Sequence, residues 1–338
     1  MKKLLSFLLV GVMSFSLAAC AKGGDKADGV SSATTKNTTA AQVTGEQTTA
    51  QDNPTSVTIT HELDTVEVPY DAQKIAVLDL AVLDIMDALG LGDRVVGIPK
   101  KSSVSYLTSY NENEAIENLG SLKEVDMEAL NALEPDLIFI GGRLSSEYEN
   151  IAKVAPTVLV SVDNEAGYMK SFSENVRTIA SIFGLEEKAE ELLSGFDARI
   201  ATLKEAAEGK TAIVGLVTSS SLNTLGNGSR GSLICNEVGF TNAAADVDST
   251  HGDTSSFELL LEKNPDYIFV LDRDTAINAE GAKVAKEVME NEIVMKTDAY
   301  KNGNIVYLTP DVWYLAEGGI TATDTMLKDL EAGILVNN

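Results

Sequence analysis

Histidine is almost missing from this chain: His61 and His251 are the two copies in 338 residues. Zinc and manganese sites of transport proteins draw on several histidines together with carboxylates, so two distant copies argue against that class. Cysteine is equally scarce, at Cys20 and Cys235, which rules out a disulfide framework. Basic side chains are outnumbered 51 to 26, for a net charge of −25. Such a chain repels nucleic acid and anionic membrane surfaces. Past the N-terminus no apolar run is long enough to span a bilayer. Neither a Ser-His-Asp arrangement, a paired-acid motif nor a P-loop is present, and the sequence reads as no enzyme. The scarcity of arginine makes each copy informative: Arg94, Arg143, Arg177, Arg199, Arg230 and Arg273 are all there are.

The chain opens with "MKKLLSFLLVGVMSFSLAAC". Two lysines, an apolar run and small residues before Cys20 predict a signal peptide over residues 1–19. "LAAC" resembles a bacterial lipobox, which implies a lipid on the Cys20 thiol and an extracytoplasmic protein anchored to the cell membrane. Residues 20–56 are rich in Thr, Ala, Gly and Ser and lack aromatics. They cannot bury enough surface to offset chain entropy and read as a flexible tether. Cys235, within apolar "GSLICNEVGF", reads as a buried structural thiol.

The remainder alternates strand and helix patterns. "VTITHELDTVEVPYDA" reads as a strand pair that carries His61 near its turn. "KIAVLDLAVLDIMDALGLGDRVVGIPK", "VDMEALNALEPDLIFIGG" and "PTVLVSVD" follow a βαβ rhythm. No strand pattern interrupts residues 167–210. There "YMKSFSENVRTIASIFG" predicts one long helix and "LEEKAEELLSGFDARIATLKEAAEG" a second. Strands resume at "TAIVGLVT", with a helix at "GSLICNEVG", a strand at "NIVYLTP" and a closing helix at "TATDTMLKDLEAGI". The fold class is therefore α/β, with two Rossmann-like lobes of mostly parallel sheet. The expected boundaries are an N-terminal lobe over 57–165, a bridging helix over 166–185 and a C-terminal lobe over 186–338.

One phrase is written twice. "MEALNALEPDLIFIGGR" and "FELLLEKNPDYIFVLDR" share Glu128/Glu258, Leu130/Leu260, Pro135/Pro265, Asp136/Asp266, Ile138/Ile268, Phe139/Phe269 and Arg143/Arg273. Ligands of parallel sheets bind beyond the carboxyl ends of the strands. Arg143 and Arg273 stand just past such ends, so two facing lobes would aim both guanidinium groups into the cleft between them.

The lipobox, the first βαβ run, "LEPDLIFIGGR", the helical bridge and "DVWYLAEGG" together resemble the substrate-binding lipoproteins of ABC importers for ferric siderophores. Binders of catecholate siderophores are the nearest likeness. The resemblance implies two lobes joined by one long helix, an Fe(III)-siderophore complex in the interlobe cleft, no resident cofactor, and a monomer that serves a membrane permease. It implies that Arg143, Arg230 and Arg273 line the cleft, and that His251 and Tyr314 fall where some relatives supply iron ligands. It also implies one exposed glutamate per lobe that docks on the permease. These are Glu258 in the C-lobe and Glu147 in the N-lobe, where Glu147 fits the pattern better than the repeat partner Glu128. Trp313 reads as packing or a cleft wall.

Two rivals remain. "GNGSRG" satisfies G-x-G-x-x-G with Asp246 and Asp248 downstream, so a Rossmann dehydrogenase is the enzyme alternative. A binder of a hydroxamate siderophore, haem or B12 would use the same fold.

Overall fold

The computed structural model describes residues 54–219, 221–228, 230–245, 253–255, 257–281 and 283–336. Residues 1–53 lie outside that range, among them the expected signal peptide, Cys20 and most of the tether, as do Asp246, Asp248 and His251. Residues 52–338 form one compact unit.

A hairpin of β1 (Ser56–Thr60) and β2 (Thr65–Pro69) comes first. A five-stranded sheet follows, made of β3 (Ile75–Val77), β4 (Val95–Ile98), β5 (Glu117–Asn118), β6 (Leu137–Ile140) and β7 (Thr157–Leu159). Its order is β5-β4-β3-β6-β7 and every pairing is parallel. All four residues of β6 are buried, as expected of a strand covered on both faces.

The second sheet holds β8 (Thr211–Thr218), β9 (Ser221–Leu225), β10 (Thr241–Asn242), β11 (Asp253–Ser255), β12 (Tyr267–Asp272) and β13 (Ile305–Tyr307). Its path is β11-β9-β8-β12-β13, with β10 also on β8. The β8, β10, β12 and β13 pairings are parallel, whereas β9 and β11 run antiparallel.

The repeated phrase has a structural reason that precedes any function. In each copy the helix ends on a residue with positive φ just before the proline, Glu134 (47°) and Asn264 (41°), where proline disfavours continued helix. The next residue then ties two strands together. The Asp136 carboxylate accepts the N–H groups of Gln73 (3.1 Å) and Lys74 (2.9 Å) at the start of β3. Asp266 accepts the Thr211 N–H (2.8 Å) at the start of β8. Ile138 and Phe139, like Ile268 and Phe269, then bury fully at the centre of each sheet.

Between the sheets lies a helix over Tyr168–Ile182, about 22 Å long at the α-helical rise. Tyr168, Phe172, Val176 and Ile179 on its inner face are fully buried, each contributing roughly 1.5–3 kcal/mol relative to exposure. It packs against the Leu80–Leu89 helix of the first lobe and a turn at Leu233–Glu237 in the second.

Two local expectations are corrected, and one segment without an assignment gains a strand. The helix expected over 185–209 is two, Glu186–Leu193 and Phe196–Ala207, because Ser194 leaves the helical region at ψ 136°. "GSLICNEVG" forms a π-helical turn at Leu233–Glu237 rather than an α-helix. "SSSLNTL" contains β9, which returns antiparallel along β8. Consequently "GNGSRG" follows an antiparallel strand and lacks the strand–turn–helix setting that dinucleotide binding needs.

Candidate functional site: an arginine cluster around Tyr314

In the first sheet β3 is followed outward by β4 and β5, and β6 and β7 lie on its other side. The connection therefore reverses between β3 and β6, the place where open α/β sheets form their ligand crevice. Asp79, just past β3, caps the Leu80–Leu89 helix and accepts the N–H of Ala81 at 2.9 Å. Arg143 opens from the turn after β6. Gly141 makes room for both, since a Cβ there would lie 2.0 Å from Asp79 Oδ2.

The second sheet reverses on either side of β8 and β12. Arg273 directly follows β12, and its guanidinium contacts Thr218 Oγ1 (3.3 Å) at the end of β8. It also pairs with Asp274 (3.1 Å), which is buried.

Arg143, Arg230 and Arg273 all converge on Tyr314, in the short Pro310–Leu315 helix. Their guanidinium carbons lie 6.0, 4.6 and 5.9 Å from its ring centroid, within cation–π range. Arg143 and Arg230 both donate to the Tyr314 carbonyl oxygen, at 2.6 and 3.1 Å. Arg273 Nε donates to the Tyr314 hydroxyl at 3.1 Å. The tyrosine is 4 % exposed, so its ring is the hub of the cluster.

Beside this hub is a cavity of about 390 Å³ whose lining includes Asp79, Arg143, Asn164, Asn175, Arg230 and Glu317. Burial dominates its electrostatics. It lowers the Arg143 pKa, with help from the neighbouring Arg230 charge. It raises that of Asp79 against the pull of Arg143. Glu317 is pushed up to about 7 by burial, although Arg230 and Arg143 oppose the shift. Half-buried guanidinium groups next to open volume suit a compact anion with several oxygen acceptors.

The structure thus brings together four of the residues singled out by sequence. His251 lies outside the described residues. Glu147 and Glu258 are exposed, as is Glu128. Trp313 is packing: it is 1 % exposed and donates its indole N–H to Asp329 at 2.9 Å. Glu317 and Asp79 escaped sequence reading. Glu317 stood inside "DVWYLAEGG" and Asp79 inside the first βαβ run, neither with a role. His61 packs edge-on against Tyr148 at 5.3 Å. Among the described residues, no three His, Cys, Asp or Glu side chains cluster as metal ligands, and no helix is long and apolar enough to cross a membrane.

One parallel and one mixed sheet, a helix between them and a polar cavity at the first sheet's switch point define an α/β binding protein. The chain belongs to the periplasmic binding protein family, whose profile matches residues 75–312. The petrobactin-binding protein YclQ of Bacillus subtilis is 38 % identical over 283 residues, which cover 82 % of this chain and 88 % of that one. Its crystal structure matches with a TM-score of 0.78 at 37 % identity, over 82 % of this chain and 98 % of the other. The periplasmic catecholate-siderophore binding protein VctP of Vibrio cholerae matches with a TM-score of 0.77 at 31 % identity, over 82 % and 99 % of the two chains. The ferric-anguibactin-binding protein FatB of Vibrio anguillarum is 27 % identical over 285 residues, 82 % of this chain and 88 % of that protein.

Proposed function

We propose that this protein is a lipid-anchored extracytoplasmic receptor that captures a ferric catecholate siderophore and presents it to an ABC-type permease. The observation that carries this is the convergence of Arg143, Arg230 and Arg273, from both sheets, on Tyr314 beside one cavity. A ferric catecholate complex is a compact anion with aromatic rings. Guanidinium groups bond to its oxygens and stack on its rings. Relatives whose names refer to petrobactin, anguibactin and catecholates support the same ligand class. Cys20 would carry the lipid, and Glu147 and Glu258 would face the permease as one monomer docks.

Iron is cargo in this reading. A tetradentate bis-catecholate leaves two positions on octahedral Fe(III), and His251 and Tyr314 would fill them. For Tyr314 this requires its hydroxyl to leave Arg273. A hexadentate tris-catecholate fills the metal alone, so Tyr314→Phe should weaken the first ligand and bind the second almost normally.

Trp313 is the sole tryptophan and neighbours the hub, so its emission reports on ligand. Titration with a ferric tris-catecholate should give saturable quenching that Arg143→Ala or Arg230→Ala weakens by about tenfold or more, the loss of one charge-assisted contact. Saturable quenching by haem, B12 or a neutral ferric hydroxamate, with none by catecholates, would replace this reading with the corresponding alternative.

A further inference from the structure

An anion receptor with a carboxylate inside its anion site presents a contradiction. Glu317 lines the same cavity as Arg143 and Arg230, with its side chain 11 % exposed. Its Oε2 lies 3.5 Å from the Arg230 guanidinium, longer than the usual charge-assisted contact. Its Oε1 is buried without a hydrogen-bond partner, and so is Nε of Arg230. A carboxyl group and a guanidinium thus sit side by side, each with an unused bonding atom.

The backbone cannot remove this carboxylate from the site. It lies between the Pro310–Leu315 helix and the closing helix Ile320–Ile334. The closing helix is held at its start by Asp84, which accepts the Thr321 and Ala322 N–H groups at 3.1 and 2.8 Å. The Gly318 N–H next to Glu317 is itself held by the Tyr168 hydroxyl at 3.2 Å. Only the side-chain torsions of Glu317 are left to adjust.

We propose that Glu317 is the specificity-determining counter-anion of the cleft: it occupies the Arg230 side of the site in the empty protein and yields to the ligand's anionic oxygens. The inference rests on the anion-receptor reading of this cavity. It explains why the pairing is poor. A short, fully satisfied Arg230–Glu317 bridge would hold the cation against any ligand, whereas without Glu317 only Asp79 would offset the facing charges of Arg143 and Arg230. A ligand must therefore carry enough negative charge to displace Glu317, and neutral chelates gain nothing from the exchange. The upward push on its pKa from burial agrees with a carboxylate held in place by weak pairing.

The test compares wild type with Glu317→Gln at pH 8, above the point near 7 where Glu317 loses its proton, so that the variant keeps the shape and removes the charge. Three probes are titrated: sodium sulfate against sodium chloride of equal ionic strength, a trianionic ferric tris-catecholate, and a neutral ferric trihydroxamate. Removing the carboxylate charge beside Arg230 should tighten sulfate and the tris-catecholate about tenfold or more, and shift the neutral chelate by less than about twofold. Unchanged or weaker binding of both anions overturns the inference. Tighter sulfate binding with no uptake of either iron complex keeps Glu317 as counter-anion and overturns the siderophore reading instead. Should the variant fail to fold, the ¹³C carboxyl resonance of Glu317 in the wild-type protein decides: it should move on adding sulfate, and a fixed resonance overturns the inference.

Discussion

Asp84 Oδ2 accepts the backbone N–H of Ala322 at 2.8 Å, a bond between residues 238 positions apart. It joins the first helix of one lobe to the closing helix that follows the other. Asp84 is fully buried and also takes the Tyr106 hydroxyl at 2.8 Å. Gly319 permits this approach, because a Cβ there would lie 2.1 Å from Asp84 Oδ2. The Leu80–Leu89 helix and the closing helix are thereby fastened together, which places Tyr314 and Glu317 against the switch point of the first sheet.

Asp84→Ala should therefore cost about 2–4 kcal/mol, since it leaves two helix N–H groups and a buried phenol unpaired. Gly319→Ala should destabilise by a similar route, by displacing the carboxylate. Urea unfolding followed by circular dichroism measures both, and a midpoint equal to wild type for Asp84→Ala would refute the lock.

Stability should also fall as pH rises from about 4.5 towards 7. In the unfolded chain Glu317 loses its proton near 4.5, whereas in the folded protein it holds it until about 7. Between these values the native state binds the extra proton, so raising the pH costs up to roughly 3 kcal/mol. Arg230, Arg143 and Tyr168 are the groups coupled to it. Glu317→Gln should remove the share of the slope that Glu317 contributes. The remainder belongs to Asp79 and Asp84, whose carboxyls are also raised by burial. An unchanged slope in the variant would show that Glu317 does not titrate in this range.

Glu147→Ala and Glu258→Ala should leave ferric-ligand affinity within about twofold, because both side chains are exposed and surface charges carry little folding energy. Uptake of iron by cells that depend on this protein should drop in each. Loss of affinity in the purified variants would move these residues from the permease face to the ligand site.

Cys235 is 8 % exposed and its thiol is pushed up to about 12 by burial. At pH 8 the native protein should therefore react with a disulfide reagent far more slowly than a free thiol, and fully once unfolded in guanidinium. Fast release of chromophore from the native protein would contradict the packing around the Leu233–Glu237 turn.

The local rules of the chain were legible without coordinates. Period-two and period-3.6 patterns set the βαβ rhythm, and the repeated "EPD" and "NPD" phrases marked where each central strand begins. Arg143 and Arg273 were found because a strand's carboxyl end is a position along the chain. The broken helix at Ser194 and the antiparallel β9 were not found. The Ser194–Gly195 turn signal was masked by helical periodicity on both sides, with Gly195 at φ 92°, and strand direction is decided by tertiary pairing.

What the sequence determined by itself is the class of fold and the supply of cations, since both depend on residue order and composition. What only the tertiary structure decided is their meeting point. Tyr314 became the hub, and Glu317 a buried carboxyl group beside Arg230, because Asp84 fastens a helix 238 residues distant. Charge interactions depend on distance and burial, and neither is written in the spacing along the chain.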